Sequence, residues 1–230
     1  CFHAPLRHFN VDLIDTPHPL DGYQVVFSPF LTTIDEDLQE KAEAFVRAGG
    51  TWIIGPMSGI LTEDTSKYTD SPYPFVERFA GVYTKYQKPI ANSVWHAAWQ
   101  DGFPLGISIC YDALEATDST PLATYHGDEF DGFAAITERR IGAGRVILLG
   151  TLPDASAIRR LTGLSPIAEA SENIDLVERS GTHAGLIAIE TENKPGILTL
   201  PGSYRDLIHD RRLCGTVTVK PYEVLVLEAE

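Results

Sequence analysis

The sequence is poor in sulfur and in positive charge. Three cysteines (Cys1, Cys110 and Cys214) and one methionine stand in 230 residues. An odd, scattered cysteine set matches neither a disulfide framework nor a CxxC metal site, and a reducing compartment is the expected setting. Lys plus Arg number 18 against 32 Asp plus Glu, a formal charge of −14, which repels phosphate backbones and anionic lipids and argues against nucleic acid and membrane partners. No apolar run approaches the roughly 20 residues of a membrane span, and the first residues lack the basic and apolar regions of a signal peptide, so a cytoplasmic protein is expected. The start at Cys1-Phe2-His3, without Met, points to a piece of a longer polypeptide. Seven histidines contain no HxxxH or HExxH spacing, so no metal is expected. No cofactor is expected either: Gly142-Ala143-Gly144 resembles part of a dinucleotide loop but lies between two strand-like runs, where a hairpin turn accounts for it.

With 43% apolar and 22% charged residues, the composition suits one or two packed cores. The pairs Arg139-Arg140 and Arg211-Arg212 read as solvated surface charge. Along the chain, Asn10–Asp15 and Tyr23–Phe27 read as strands, the second covered on both faces. Thr32 or Thr33 is positioned to cap a helix whose first turn carries Asp35, Glu36 and Asp37 and whose apolar face is Leu38, Ala42, Phe45 and Val46. Gly49-Gly50 ends it, and Thr51–Gly55 resumes a buried strand. Strand, helix and strand in this order predict a crossover unit in an α/β domain with a mostly parallel sheet.

A polar loop follows from residue 56 to 74, then a short helix at Pro74–Gly81. From Leu105 to Ile147 strands predominate and antiparallel pairing is expected, with a helix at Ala155–Leu161. Beyond a linker at Ser165–Asn173, five short apolar runs separated by Gly or Pro turns predict a small all-β sandwich. The expected division is residues 1–165 and 166–230.

Few residues invite a chemical role. Gly106-Ile107-Ser108-Ile109-Cys110 is the nearest match to a nucleophile elbow but lacks its second glycine, so Ser108 and Cys110 read better as strand residues. Ser58, in Gly55-Pro56-Met57-Ser58-Gly59, reads as part of a turn. A hydrolase built on Cys110 or Ser58 requires a base such as His96 or His126 within hydrogen-bond reach. Trp52, Trp95 and Trp99 are the candidates for sugar stacking; Trp95 and Trp99 fall one turn apart if 95–99 is helical, a spacing that equally suits a core or a subunit contact. The carboxylates cluster in loops and helix first turns, as solvated surface does.

The ordered set Tyr23-Gln24-Val25-Val26-Phe27-Ser28-Pro29, Ala44-Phe45-Val46-Arg47-Ala48-Gly49-Gly50-Thr51, Ser58-Gly59 and Gly142-Ala143-Gly144-Arg145-Val146-Ile147-Leu148-Leu149-Gly150-Thr151 resembles the trimerisation domain of glycoside hydrolase family 42 β-galactosidases. The tail Pro221-Tyr222-Glu223-Val224-Leu225-Val226-Leu227 is similar to the end of that family's small β domain. The resemblance implies a flavodoxin-like or class I glutamine amidotransferase-like domain without a catalytic cysteine. It also implies that the catalytic glutamates belong to an upstream barrel, so that no catalytic residue carries over to this chain. The implied partners are that barrel, two further copies in a homotrimer, and a galactoside bound by the barrel. The expected role is a non-catalytic assembly region of a retaining β-galactosidase; an amidotransferase-like hydrolase and a carbohydrate-binding module are the alternatives.

Overall fold

The computed structural model describes residues 6–89 and 96–230. They form two compact units, one from Ile14 to Thr162, the other from Gly163 to Glu230 joined by the segment up to Leu13. Seventeen strands and three α-helices are present among the described residues. None of the helices is long and apolar enough to cross a membrane.

The first unit begins as the sequence predicts. Strand β1 (Val25–Ser28), helix α1 (Glu36–Arg47) and strand β2 (Thr51–Ile54) form a parallel crossover, with Val25 opposite Thr51. β1 is only half-buried, whereas β2 is buried throughout. The cap of α1 is Asp35 rather than a threonine: its carboxylate accepts the Leu38 N–H at 2.8 Å. Asp can serve here because a side-chain oxygen at the cap reaches the third helical N–H. Leu38, Ala42 and Val46 form the buried stripe of α1. Helix α2 (Pro74–Ala80) opens on a proline, which has no N–H to leave unpaired, and stops at Gly81, at φ +66°, a conformation glycine adopts without cost.

From there the architecture departs from expectation. Strands β3 (Val82–Pro89), β4 (His96–Trp99), β5 (Pro104–Leu105), β6 (Ile107–Ser108), β7 (Cys110–Ala116), β8 (Thr120–His126) and β9 (Ala134–Ile141) come with no intervening α-helix among the described residues. β10 (Gly144–Leu149) returns parallel to β2, with Arg145 opposite Thr51, and antiparallel to β9. The nine-stranded sheet runs β1-β2-β10-β9-β8-β4-β5, with β7 meeting β9 at Leu114 and Ala134 and carrying β3 on its other side. Among the described strands, only the pairs β1–β2 and β2–β10 are parallel. The flavodoxin-like or class I glutamine amidotransferase-like expectation is therefore wrong: a doubly wound sheet needs a helix between successive parallel strands, and after α2 the chain supplies hairpins instead. Residues 96–99 are likewise a strand rather than a helix, and Trp95 lies outside the described residues. β11 (Leu152–Pro153) pairs with β6, and α3 (Ala155–Thr162) packs against β2.

The core of this unit joins α1 and α2 to the parallel strands through Trp52, whose ring lies 5.9 Å from Phe79 and 6.3 Å from Phe75, centroid to centroid. Phe75 and Phe79 stack on each other at 5.3 Å. Their i, i+4 spacing places both rings on one helix face.

The second unit contains β12 (Glu169–Ala170), β13 (Ile174–Arg179), β14 (Gly185–Glu190), β15 (Gly196–Asp206), β16 (Arg211–Val219) and β17 (Val224–Ala229). All its pairs are antiparallel, in one six-stranded sheet rather than the two facing sheets of a sandwich. Eleven-residue β15 shifts register between Leu200 and Ser203 and thereby pairs with β12, β16 and β17, a bend of the kind bulges produce. Its core is Ile174, Leu176, Ala188, Leu198, Val219, Leu225 and Leu227. The expected strand at Asn10–Asp15 is absent. Instead the backbone carbonyls of Arg7 and His8 accept from Leu176 and Ile167, each at 2.8 Å, and Arg7 pairs with Asp175 at 3.2 Å and Glu192 at 2.9 Å.

Two stability predictions follow from single positions. A Cβ on Gly144 falls 2.2 Å from the Val46 carbonyl oxygen and 2.3 Å from that of Gly50, so Gly144→Ala is expected to cost about 1–3 kcal/mol, read as a lower urea midpoint. Glu190 is 1% exposed; burial pushes its carboxyl up, but the Tyr222 N–H, the Asn173 side-chain amide and the Glu192 N–H bring it down to about 2. Its contribution is present above the unfolded value near 4.5 and is lost as the pH falls from there toward 2. Melting curves of Glu190→Gln should therefore show less acid sensitivity than wild type in that window.

Candidate functional site

The candidate nucleophiles Ser58, Ser108 and Cys110 and the candidate bases His96 and His126 all lie within the described residues. Ser58 is 2% exposed; its Oγ accepts the Leu31 N–H at 3.1 Å and donates to the Ser28 carbonyl at 3.3 Å, fastening the turn after β2 to the end of β1. Ser108 Oγ donates to the Leu152 carbonyl at 2.9 Å across the β6–β11 pair. Cys110 opens β7 and is buried; burial first and the neighbouring Asp112 second push its thiol up to about 12. A thiol this weakly acidic holds almost no thiolate at neutral pH. His96 and His126 face each other across β4 and β8, and His126 lies 3.8 Å from Asp131. Among the described residues neither histidine hydrogen-bonds Ser58, Ser108 or Cys110, so the hydrolase alternative lacks its nucleophile–base contact.

Among the described residues, the tryptophans Trp52 and Trp99 do not form a stacking platform. Trp52 is 2% exposed inside the α1–α2 core and donates its indole N–H to Ser28 Oγ at 2.9 Å. Trp99 is 8% exposed, under the Arg160 guanidinium at 4.3 Å, which in turn bonds Asp101 at 2.6 Å. A sugar-binding face needs exposed rings, and these are core residues.

The most perturbed groups lie elsewhere, beneath the loop that sequence reasoning left without a role. A groove of about 250 Å³ is lined by Ile60, by residues 67–72 and by Gln87. Gln87 donates to the Tyr73 hydroxyl, and Tyr73 donates to Asp112 Oδ2 at 3.1 Å. Asp112 is 3% exposed and its Oδ1 has no hydrogen-bond partner among the described residues. Burial pushes this carboxyl up to about 7, against the opposing pull of the Tyr73 and Gln87 hydrogen bonds. Burial and Asp112 together raise the Tyr73 phenol, which stays protonated and donating. On α2, Glu77 is also buried; it accepts the Thr84 N–H at 2.8 Å and the Ser71 hydroxyl. The alternation of β7 produces this arrangement: Asp112 pairs with Gln87 and falls on the face turned to Tyr73, while Tyr111 falls on the opposite face with Tyr125 and Phe130.

Chemically the cluster can hold and exchange a proton. Both carboxyls are buried, Glu77 with both oxygens accepting protein donors and Asp112 with Oδ2 accepting from Tyr73, whereas a glycosidase pair flanks an open sugar site about 5–9.5 Å across. No group of three His, Cys, Asp or Glu suited to a metal occurs among the described residues. The only sequence sign of the cluster is an acidic residue inside the apolar run Cys110–Leu114, where a buried carboxyl needs a donor from a neighbouring element.

Comparisons with known proteins place the chain in one family. The family model described as the beta-galactosidase trimerisation domain matches residues 3–170, and that described as the beta-galactosidase C-terminal domain matches residues 192–229. The chain is 31% identical to the β-galactosidase YesZ of Bacillus subtilis (strain 168), over 94% of this chain and 34% of that protein. It is 27% identical to the β-galactosidase BgaB of Geobacillus sp. (strain Y412MC61), over 96% and 34%. It thus spans about a third of the length of the curated relatives it matches. Among solved structures, the β-galactosidase from Bacillus circulans sp. alkalophilus superposes with a TM-score of 0.90 at 19% identity, over 100% of this chain and 36% of the other. The β-galactosidase of the Antarctic haloarchaeon Halorubrum lacusprofundi gives 0.82 at 19%, over 99% and 34%. At these identities the likeness establishes the fold.

The raised carboxyl yields a third prediction. Between about pH 4 and 7 the unfolded chain has Asp112 ionised while the folded chain keeps it protonated, so this group lowers stability as the pH rises and its effect is complete above 7. Asp112→Asn is expected to stabilise the chain at pH 8 by about 2 kcal/mol, a gain that shrinks toward pH 4. Urea midpoints of the two proteins across that range measure it.

Proposed function

The chain belongs to glycoside hydrolase family 42, whose trimerisation-domain model covers residues 3–170, and from that premise we propose that it is the non-catalytic assembly region of a β-galactosidase. In this reading residues 1–165 are the assembly part, residues 166–230 are a small β part, and the region holds three copies together. The hydrolysis of terminal β-galactosides, with retention by two carboxylates, is assigned to a catalytic barrel outside this sequence. The match over residues 3–170 carries the proposal. It is supported by the burial of Ser58, Cys110, Trp52 and Trp99, which gives each candidate a packing role.

The test is a chromogenic β-galactoside assay on the 230-residue chain beside a full-length family relative, at equal molar concentration. The expected result is turnover by the relative and none by the chain. Turnover that co-purifies with the chain and disappears on substitution of one of its own carboxylates would overturn the proposal.

A further inference from the structure

Basic side chains are scarce in this protein, and four of them line one groove. Arg47 at the end of α1, Arg78 at the end of α2, and Arg139 and Arg140 on β9 surround a depression of about 290 Å³ in which Glu43 is the one carboxylate. Part of this has a local cause. Arg139 donates to the Arg78 and Phe79 carbonyls at 2.9 and 3.0 Å and pairs with Asp118, closing the end of α2. Arg47 and Arg78 sit in helix last turns, where positive charge suits the dipole.

That account leaves a surplus. Arg140 is on a strand and its side chain is 78% exposed, 3.5 Å from Glu138; Arg47 reaches Glu43 only at 3.7 Å; and Arg78 makes no ion pair among the described residues, its guanidinium lying 5.7 Å from the Phe75 ring centre. Three exposed guanidinium groups thus remain weakly compensated on a chain whose net charge is −14.

The opposite end of α1 has the reverse character. Glu36, Asp37 and Glu40 are exposed there and form no ion pairs among the described residues. At 1.5 Å per residue, Glu36 lies about 16 Å and Glu40 about 10 Å along the helix axis from Arg47. They are two patches of opposite sign, which suits a heterologous contact: one patch of each copy meets the other patch of the next, and the series closes into a ring where the rotation between copies closes.

We propose that the groove of Arg47, Arg78 and Arg140 is a contact surface for a second copy of this chain, and that it receives the acidic end of the neighbour's α1 around Glu36 and Glu40. The inference rests on the trimer reading above and names the surface that makes the contact. Rim charges of this kind steer encounter and set register, and salt weakens them.

Sedimentation equilibrium of the 230-residue chain tests it, at about 50 mM and about 500 mM NaCl, where the Debye length is about 14 Å and about 4 Å. Wild type is expected to form trimers that weaken at the higher salt. The double variant Arg78→Glu/Arg140→Glu, at exposed positions, is expected to keep its melting temperature and lose about tenfold or more in association constant. Adding Glu36→Lys/Glu40→Lys should restore association to within about threefold of wild type. If the double variant, folded, assembles like wild type, the groove is not the contact and the trimer reading stands. If it dissociates and the reversed pair fails to rescue it, the acidic end of α1 is excluded as the partner surface. If wild type remains monomeric at both salts and at about 100 μM, well above the micromolar range of ordinary specific contacts, the trimer reading and this inference fall together.

Discussion

The first unit depends on one close approach of backbone to backbone. Where α1 ends, Gly49 and Gly50 lead directly into β2, and the β9–β10 turn is laid against them: Ala143 donates to the Arg47 carbonyl and Arg145 to the Gly50 carbonyl, each at 3.1 Å. Gly144 has no room for a side chain, with carbonyl oxygens of Val46 and Gly50 inside any Cβ position. This corner is where the parallel crossover becomes part of an antiparallel sheet. Without it β10 could not lie beside β2 and against β9 at once, and Trp52 would lose Val146 and Leu148 from the core it shares with Phe75 and Phe79.

Much of the local structure was legible in the sequence because it is set by local rules. The apolar stripe of α1, the glycine stop at Gly49-Gly50, the proline start and glycine end of α2, the glycine turn at 142–144 and the strands of the second unit all follow from spacing and turn chemistry. The sheet order was not legible. A strand–helix–strand opening occurs in doubly wound folds and in this one alike, and what separates them is how β10 pairs some 90 residues later, with Arg145 opposite Thr51. The segment at 96–99 stayed open for a related reason, since four residues are too few to show a period and the pairing with β8 decides the matter. The place of Arg7 was hidden as well: a charged residue near the start of the chain reads as surface, yet its carboxylate partners lie some 165 residues or more away.

For the site, the residue types that attract a chemist's eye proved to be packing residues, and the perturbed group was a carboxyl in a strand. Ser58 is a fastener, Cys110 a buried thiol, and Trp52 a core ring. Asp112 draws its character from burial, from one phenol 39 residues before it and from one amide 25 residues before it in sequence. Spacing along a strand can show that an acid falls within an apolar run. It cannot show which donor faces it.

The register of Thr51 with Arg145 also bears on how the unit folds. β1, α1 and β2 are contiguous, but β2 gains its second neighbour only when a loop of some 90 residues has closed, and closure entropy is lost before the contact repays it. The antiparallel hairpin of β9 and β10 has no such barrier and can form early. Assembly of the central strands then becomes the docking of two preformed pieces at the glycine corner. Until that happens both edges of β2 are not paired at once, and a nascent chain carries an apolar strand, Trp52-Ile53-Ile54, that any other open strand can capture.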